Sequence, residues 1–160
     1  MDLTDEAKDK RIAAVNEKAN AEYSEAKERQ KQAREARLAN SQRAVFNVVE
    51  DSTATSAERA QIFASYRLAA ADASLAASPE ELEGVLTQAE RTGDQLMAKA
   101  VFLRSIDLGL QPIIDRYLEN RPKEARAWEN YTSAAQEVQQ ATGLEGLLGT
   151  ALTERALNEG

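Results

Sequence analysis

The side chains available for chemistry are mostly carboxylates, because the 160-residue chain contains neither histidine nor cysteine. Without histidine the commonest general base and the commonest neutral metal ligand are gone. Without cysteine there is no thiolate nucleophile, thiolate zinc site or disulfide framework. Glu80, Glu81 and Glu83 crowd one helix start, where capping and the helix dipole account for negative charge. Asp107 and Asp115 flank Pro112 and could face a cleft with Arg116, although a structural ion pair is the plainer reading. Trp128 and Tyr131 could stack a ligand, but their helical spacing fits core packing. No G-x-x-x-x-G-K or G-x-G-x-x-G phosphate loop occurs, and the Glu-x-x-His of di-iron bundles cannot be written. The expectation is a protein that is not an enzyme, with no catalytic, cofactor-binding or metal-binding residue.

The elements that position these residues should all be helical. Glycine (7) and proline (3) are scarce, whereas Ala, Glu, Gln, Arg and Leu abound, and no long alternation of β-branched and aromatic residues suggests a strand. The stretch Leu96–Leu110 organises the rest. As a helix it is apolar almost all the way round, broken only by Lys99, Arg104, Ser105 and Asp107. Such a helix is buried on most sides, and the other amphipathic segments are its neighbours. The net charge of -7 argues against a nucleic-acid or anionic-lipid surface. The start Met1–Glu6 lacks the basic and apolar regions of a signal peptide, and no run of about 18 apolar residues could span a membrane. A cytoplasmic location is expected.

The expected architecture is a long charged N-terminal helical arm (1–51) followed by a compact helical-hairpin bundle (52–160), with five to six helices in all. Residues 4–49 as one helix would measure about 69 Å at about 1.5 Å per residue. Thr4 caps it, and Asp5, Glu6 and Asp9 suit the first turn. Ile12, Ala19, Ala26 and Ala33 recur every seven residues, with Val15 and Tyr23 beside them, an alanine-lined seam and not a leucine zipper. Residues 1–26 carry seven acidic and four basic side chains, and residues 27–43 carry six basic and two acidic ones. The resulting -3 and +4 halves fit a solvated helix with pairs such as Glu25–Arg29 and Glu6–Lys10, or antiparallel or staggered self-association of two arms, or, as the weakest reading, nucleic-acid binding by 27–43, where no aromatic is interleaved for stacking. Ala44–Val49 anchors the arm, and Asp51–Ser56 reads as a loop.

Thr55 and Glu58 form a capping box for a helix to about Ala77. Ser78-Pro79-Glu80-Glu81 starts another helix, which buries Leu82, Val85, Leu86 and Ala89 and ends at Gly93. Asp94 caps the central helix and Gly109 closes it. Ile113, Ile114, Tyr117 and Leu118 form a short helix after Pro112. The helix opened by Pro122 is expected to end at Gly143. The tail then places Leu144, Leu147, Leu148 and Leu152 on one face; interior glycines there cost about 1 kcal/mol each relative to alanine, so it should form only when docked.

The pair 80–92 and 95–108 resembles a tetratricopeptide-type helical hairpin. Leu82, Val85, Leu86 and Ala89 match its first helix, and Ala98 and Phe102 match the small and large residues of its second. Leu86 stands where the repeat has glycine, and the terminal proline is displaced to Pro112. A second candidate unit runs from Trp128 through Leu152. The Ala-rich charged arm followed by a short hairpin domain is similar in style to small helical proteins of phages and prophages of high-GC bacteria, which implies a virion-assembly role and a virion location.

The expected function is therefore non-enzymatic and structural, through protein–protein contacts with a second copy or another assembly protein. A tetratricopeptide-like adaptor is the alternative. The expected contact residues are Ile12, Val15, Ala19, Tyr23, Ala26 and Ala33 on the arm, and Leu144, Leu147, Leu148 and Leu152 on the tail.

Overall fold

The computed structural model describes the backbone of residues 4–158 and the side chains of residues 4–147. The described residues form six helices and no strand: α1 (Asp5–Phe46), α2 (Ser56–Ser74), α3 (Pro79–Thr92), α4 (Gln95–Leu108), α5 (Gln111–Leu118) and α6 (Pro122–Asn158). The fold is all-α with a long N-terminal helix, as expected from composition. By its contacts the chain divides into two compact units, one of residues 1–40 with 133–160 and one of residues 41–132. The division falls inside α1 and α6 and not at a loop.

In the unit 41–132, α4 is the centre. It packs against α2, α3 and α5, and Ala98–Leu103 and Ser105 are all buried. Around it α3 supplies Leu82, Leu86 and Ala89, α5 supplies Ile113, Ile114 and Tyr117, and α2 supplies Ala69 and Ala73. Val45, at the end of α1, joins the same cluster. The alanines of α2 let its backbone approach α4 closely, whereas the bulkier Phe63 is 47% exposed. Ser105 is fully buried, and its hydroxyl donates to the Val101 carbonyl at 2.7 Å, so this hydroxyl is not stranded in the core.

The helix boundaries follow local chemistry. The capping box at Thr55 and Glu58 is complete. The Ser78 side chain accepts from the Glu81 N–H, and Glu81 reaches past it to accept from the Ala77 N–H at 2.7 Å. Asp94 caps α4 through the Met97 N–H at 3.0 Å. Gly93 and Gly109 end α3 and α4 in the left-handed region, at φ 71° and 66°. Only glycine enters it without strain. Three boundaries differ from expectation. Helix α1 stops at Phe46, because the Asn47 amide donates to the Val49 carbonyl and accepts its N–H, replacing the helical bonds. Helix α2 stops at Ser74, because the extended Ser78 cap needs a connecting segment before Pro79. Helix α6 runs unbroken through Gly143 and Gly146. Glycine lowers helix stability there without forbidding the helix, and no proline follows to enforce a stop. The tail is therefore not a separate element, and the second hairpin unit expected from Trp128 through Leu152 does not exist.

In the unit formed by 1–40 and 133–160, α1 and α6 run antiparallel. Arg37 makes two hydrogen bonds to Glu137, at 2.7 and 2.8 Å, and Arg34 lies 4.0 Å from Glu145. Val138 and Ala141 line the seam with Lys31 and Glu35, and Ala134 is buried. The start of α1 is capped by Thr4, which accepts from the Ala7 N–H at 3.3 Å, and the Glu6–Lys10 pair closes at 2.9 Å.

Leu86 is fully buried between α3 and α4. Leu86→Ala should cost about 2–5 kcal/mol, whereas Ser78→Ala, which removes only a cap, should cost about 1 kcal/mol. Urea denaturation followed by Trp128 fluorescence checks both; equal losses would contradict this packing.

Candidate functional site

The polar groups of the unit 41–132 gather where α4, α5 and α6 meet. Lys99 interrupts the apolar helix, and its burial is forced by the residues on either side. Its ammonium lies 3.2 Å from a Glu124 carboxylate oxygen and 5.4 Å from the centre of the Phe102 ring. The same Glu124 oxygen accepts a hydrogen bond from the Tyr117 hydroxyl. Burial raises the Tyr117 pKa well above the ordinary tyrosine range, and the hydrogen bond to Glu124 adds to the shift. Arg121 lies over the other side of Tyr117, 4.1 Å from its ring centre, donates to the Tyr117 carbonyl at 2.7 Å, and lies 3.7 Å from Glu90.

These residues form one wall of a cavity of about 500 Å³, closed by Asn47, Val48, Glu50, Asp51, Ile62 and Leu96. Asp51 itself accepts the backbone N–H and hydroxyl of Thr53, and these two bonds lower its pKa. An ammonium, a carboxylate and a phenol are thus neighbours at a cavity wall. Each is already bonded to another, however, and the phenol is held protonated, so the cluster is built to hold helices together.

Sequence reasoning singled out Lys99 but not its partner, which lies 25 residues away on another helix; no spacing rule connects the two. Arg116 was paired with the wrong acids. Its guanidinium contacts Glu83 at 3.0 Å, Thr87 at 2.7 Å and Glu90 at 3.3 Å, all on α3. Asp115 accepts instead from Gln111 at 2.7 Å, one turn back along α5. Adjacent helical residues point about 100° apart, and Asp115 and Arg116 accordingly meet different partners. Glu81 and Glu83 are likewise committed to different partners. Trp128 and Tyr131 are half-buried in an aromatic chain: Phe102 meets Trp128 edge-on at 5.9 Å, Trp128 meets Tyr131 at 5.7 Å, and Tyr131 meets Phe46 edge-on at 5.9 Å. They are used in packing.

The expected contact residues lie in the other unit. On α1, Ile12, Val15 and Tyr23 are 59–66% exposed. Ala19 and Ala33 are exposed and Ala26 is half-buried. Lys27 lies 5.7 Å from the Tyr23 ring centre, its partner one turn on. On α6, Leu144 and Leu147 are 61% and 70% exposed; Leu148 and Leu152 lie outside the described side chains. Arg34 and Arg37, from the basic half of α1, face acids of α6. Counting 100° per residue, Ile12, Val15, Ala19, Tyr23 and Ala26 fall on the side of α1 that carries Arg34 and Arg37. The apolar stripe is the continuation of the side that α6 covers.

No protein-family model, curated protein or solved structure matches the chain. No described helix is long and apolar enough to cross a membrane.

Because the raised Tyr117 pKa favours the protonated phenol in the folded state, its stabilisation is complete below the ordinary tyrosine value of 10.0 and declines as pH rises above it. Tyr117→Phe should lose about 1.5–3 kcal/mol at neutral pH, typical of a hydrogen bond to a charged group. It should also show a shallower fall of stability above about pH 10. Urea midpoints across the alkaline range check this; a variant with the wild-type slope would reassign the alkaline transition.

Proposed function

We propose that the protein is a non-enzymatic structural or assembly component acting through protein–protein contacts, with a second copy of itself as the first partner. The observation that carries this reading is the stripe Ile12, Val15 and Tyr23, exposed along one side of α1. Large apolar side chains recurring on one helix face mark a contact surface when no described residue covers them. Exchange of the acidic and basic halves between two arms is a weaker basis, since Arg34 and Arg37 already have partners on α6. The seam begun by α1 and α6 is the surface a second helix would extend. A role in phage virion assembly is consistent with this helical, contact-based design and rests on the resemblance in sequence style.

An adaptor function is the second reading. The α3–α4 hairpin, joined through Gly93 and Asp94, has the two-helix form of a tetratricopeptide unit, and units of that kind present grooves to peptides.

Light scattering on the full chain should give a mass above the 17.5 kDa of one chain. Ile12→Glu with Val15→Glu should return it to 17.5 kDa with helix content unchanged, because both positions are solvent-facing. A wild-type monomer would refute self-association and leave the adaptor reading, under which the two substitutions have no effect on partner capture.

A further inference from the structure

A second concavity in the unit 41–132 differs from the Lys99 cavity in having an uncommitted charge. It encloses about 250 Å³ between the end of α2, the start of α3 and the end of α4. Its lining is mostly apolar and includes Leu82, Leu108, Leu110, Ala73 and Ala76. Arg104 is the one charged side chain lining it. Unlike Arg116 and Arg121, the half-buried Arg104 makes no hydrogen bond or ion pair among the described residues. Neither Glu80 nor Glu81, which follow the groove-lining Ser78 and Pro79, lines the groove, and Glu81 is committed to the Ala77 N–H at 2.7 Å. Ser78 accepts from the Glu81 N–H at 3.2 Å, which leaves its hydroxyl hydrogen free to donate. The side chains of the groove therefore present donors, and an acceptor-only group with an aliphatic tail complements them. A planar carboxylate matches the guanidinium fork. At about 30 Å³ for a water-sized group, the volume holds about eight non-hydrogen atoms, the size of hexanoate.

We propose that this groove binds a short aliphatic carboxylate, with the carboxylate held by Arg104 and Ser78 and the alkyl chain against Leu82, Leu108 and Leu110. The proposal is independent of the α1 contact surface. Calorimetric titration of the full-length protein with hexanoate is expected to show saturable binding. Arg104→Gln should weaken it by about ten-fold, the usual consequence of losing a hydrogen bond to a charged group, and Arg104→Lys by less. Hexanol and hexylamine should bind at least as weakly as hexanoate binds to Arg104→Gln. Ala76→Leu, which fills the groove while leaving Arg104 in place, should also abolish binding. Arg126→Gln, at an exposed cation outside the groove, should leave it unchanged. Absence of saturable hexanoate binding, equal affinity in folded Arg104→Gln, or equal binding of hexanol would each overturn the assignment.

Discussion

Burial of α4 on nearly every side is the constraint from which the unit 41–132 follows. A fourteen-residue helix with apolar groups around most of its circumference cannot be covered by one neighbour. It requires α2, α3 and α5, and it draws the last turn of α1 and the first turns of α6 into the same core. The aromatic residues make this concrete. Phe102 stacks on Tyr117 at 4.4 Å with the rings 13° from parallel, and it meets Trp128 edge-on. One α4 side chain thereby fixes α5 and α6 together. Aromatic pairs of this kind contribute about 0.5–1.5 kcal/mol each beyond the area they bury.

The same constraint decides where charge is costly. A lysine on a helix covered all round has to be buried, and a buried ammonium without a partner is far more expensive than any surface pair is favourable. Glu124 answers it from α6, and Tyr117 completes the arrangement from α5. Breaking such a pair by removing one member costs about 3–5 kcal/mol. Exposed pairs such as Lys10–Glu6 contribute about 0.2–1 kcal/mol. The ion pairs of α1 consequently tune solubility and helix content, whereas the Lys99–Glu124–Tyr117 group fixes the register of α4, α5 and α6.

What could be read from the sequence was local. The caps at Thr55, Ser78 and Asp94, the left-handed glycines at 93 and 109, and the all-round apolar character of α4 each depend on residues within a turn of one another. The boundaries that slipped were decided by a neighbouring residue with a competing interaction, as with the Asn47 amide at the end of α1. The glycines of α6 show the reverse case, where a helix-weakening residue reads as a helix end although nothing compels the chain to turn. The polar cluster was the least legible. Lys99 stood out in the sequence, but Glu124 is one of many glutamates, and only packing selects it. Arg116 was misassigned for the same reason: proximity in sequence suggested Asp107 and Asp115, while the rotation of α5 aims the side chain at α3.

The apolar side chains of α1 bear differently on function than those of α4. The burial of α4 accounts for its composition, but no comparable account exists for Ile12, Val15 and Tyr23. A 42-residue helix made largely of Ala, Glu, Lys, Arg and Gln is far longer than the roughly 12–15 residues at which isolated helices become marginal. It therefore does not need these three residues to form. Isoleucine, valine and tyrosine are poorer helix formers than the residues around them, and their exposed area adds a hydration cost of about 25 cal/mol for every Å² left in water. Both costs act in a single chain, and among the described residues neither is offset. A second helix lying along the side of α1 that α6 already occupies near Arg34 and Arg37 would offset both. The proposed contact surface on α1 rests on that imbalance.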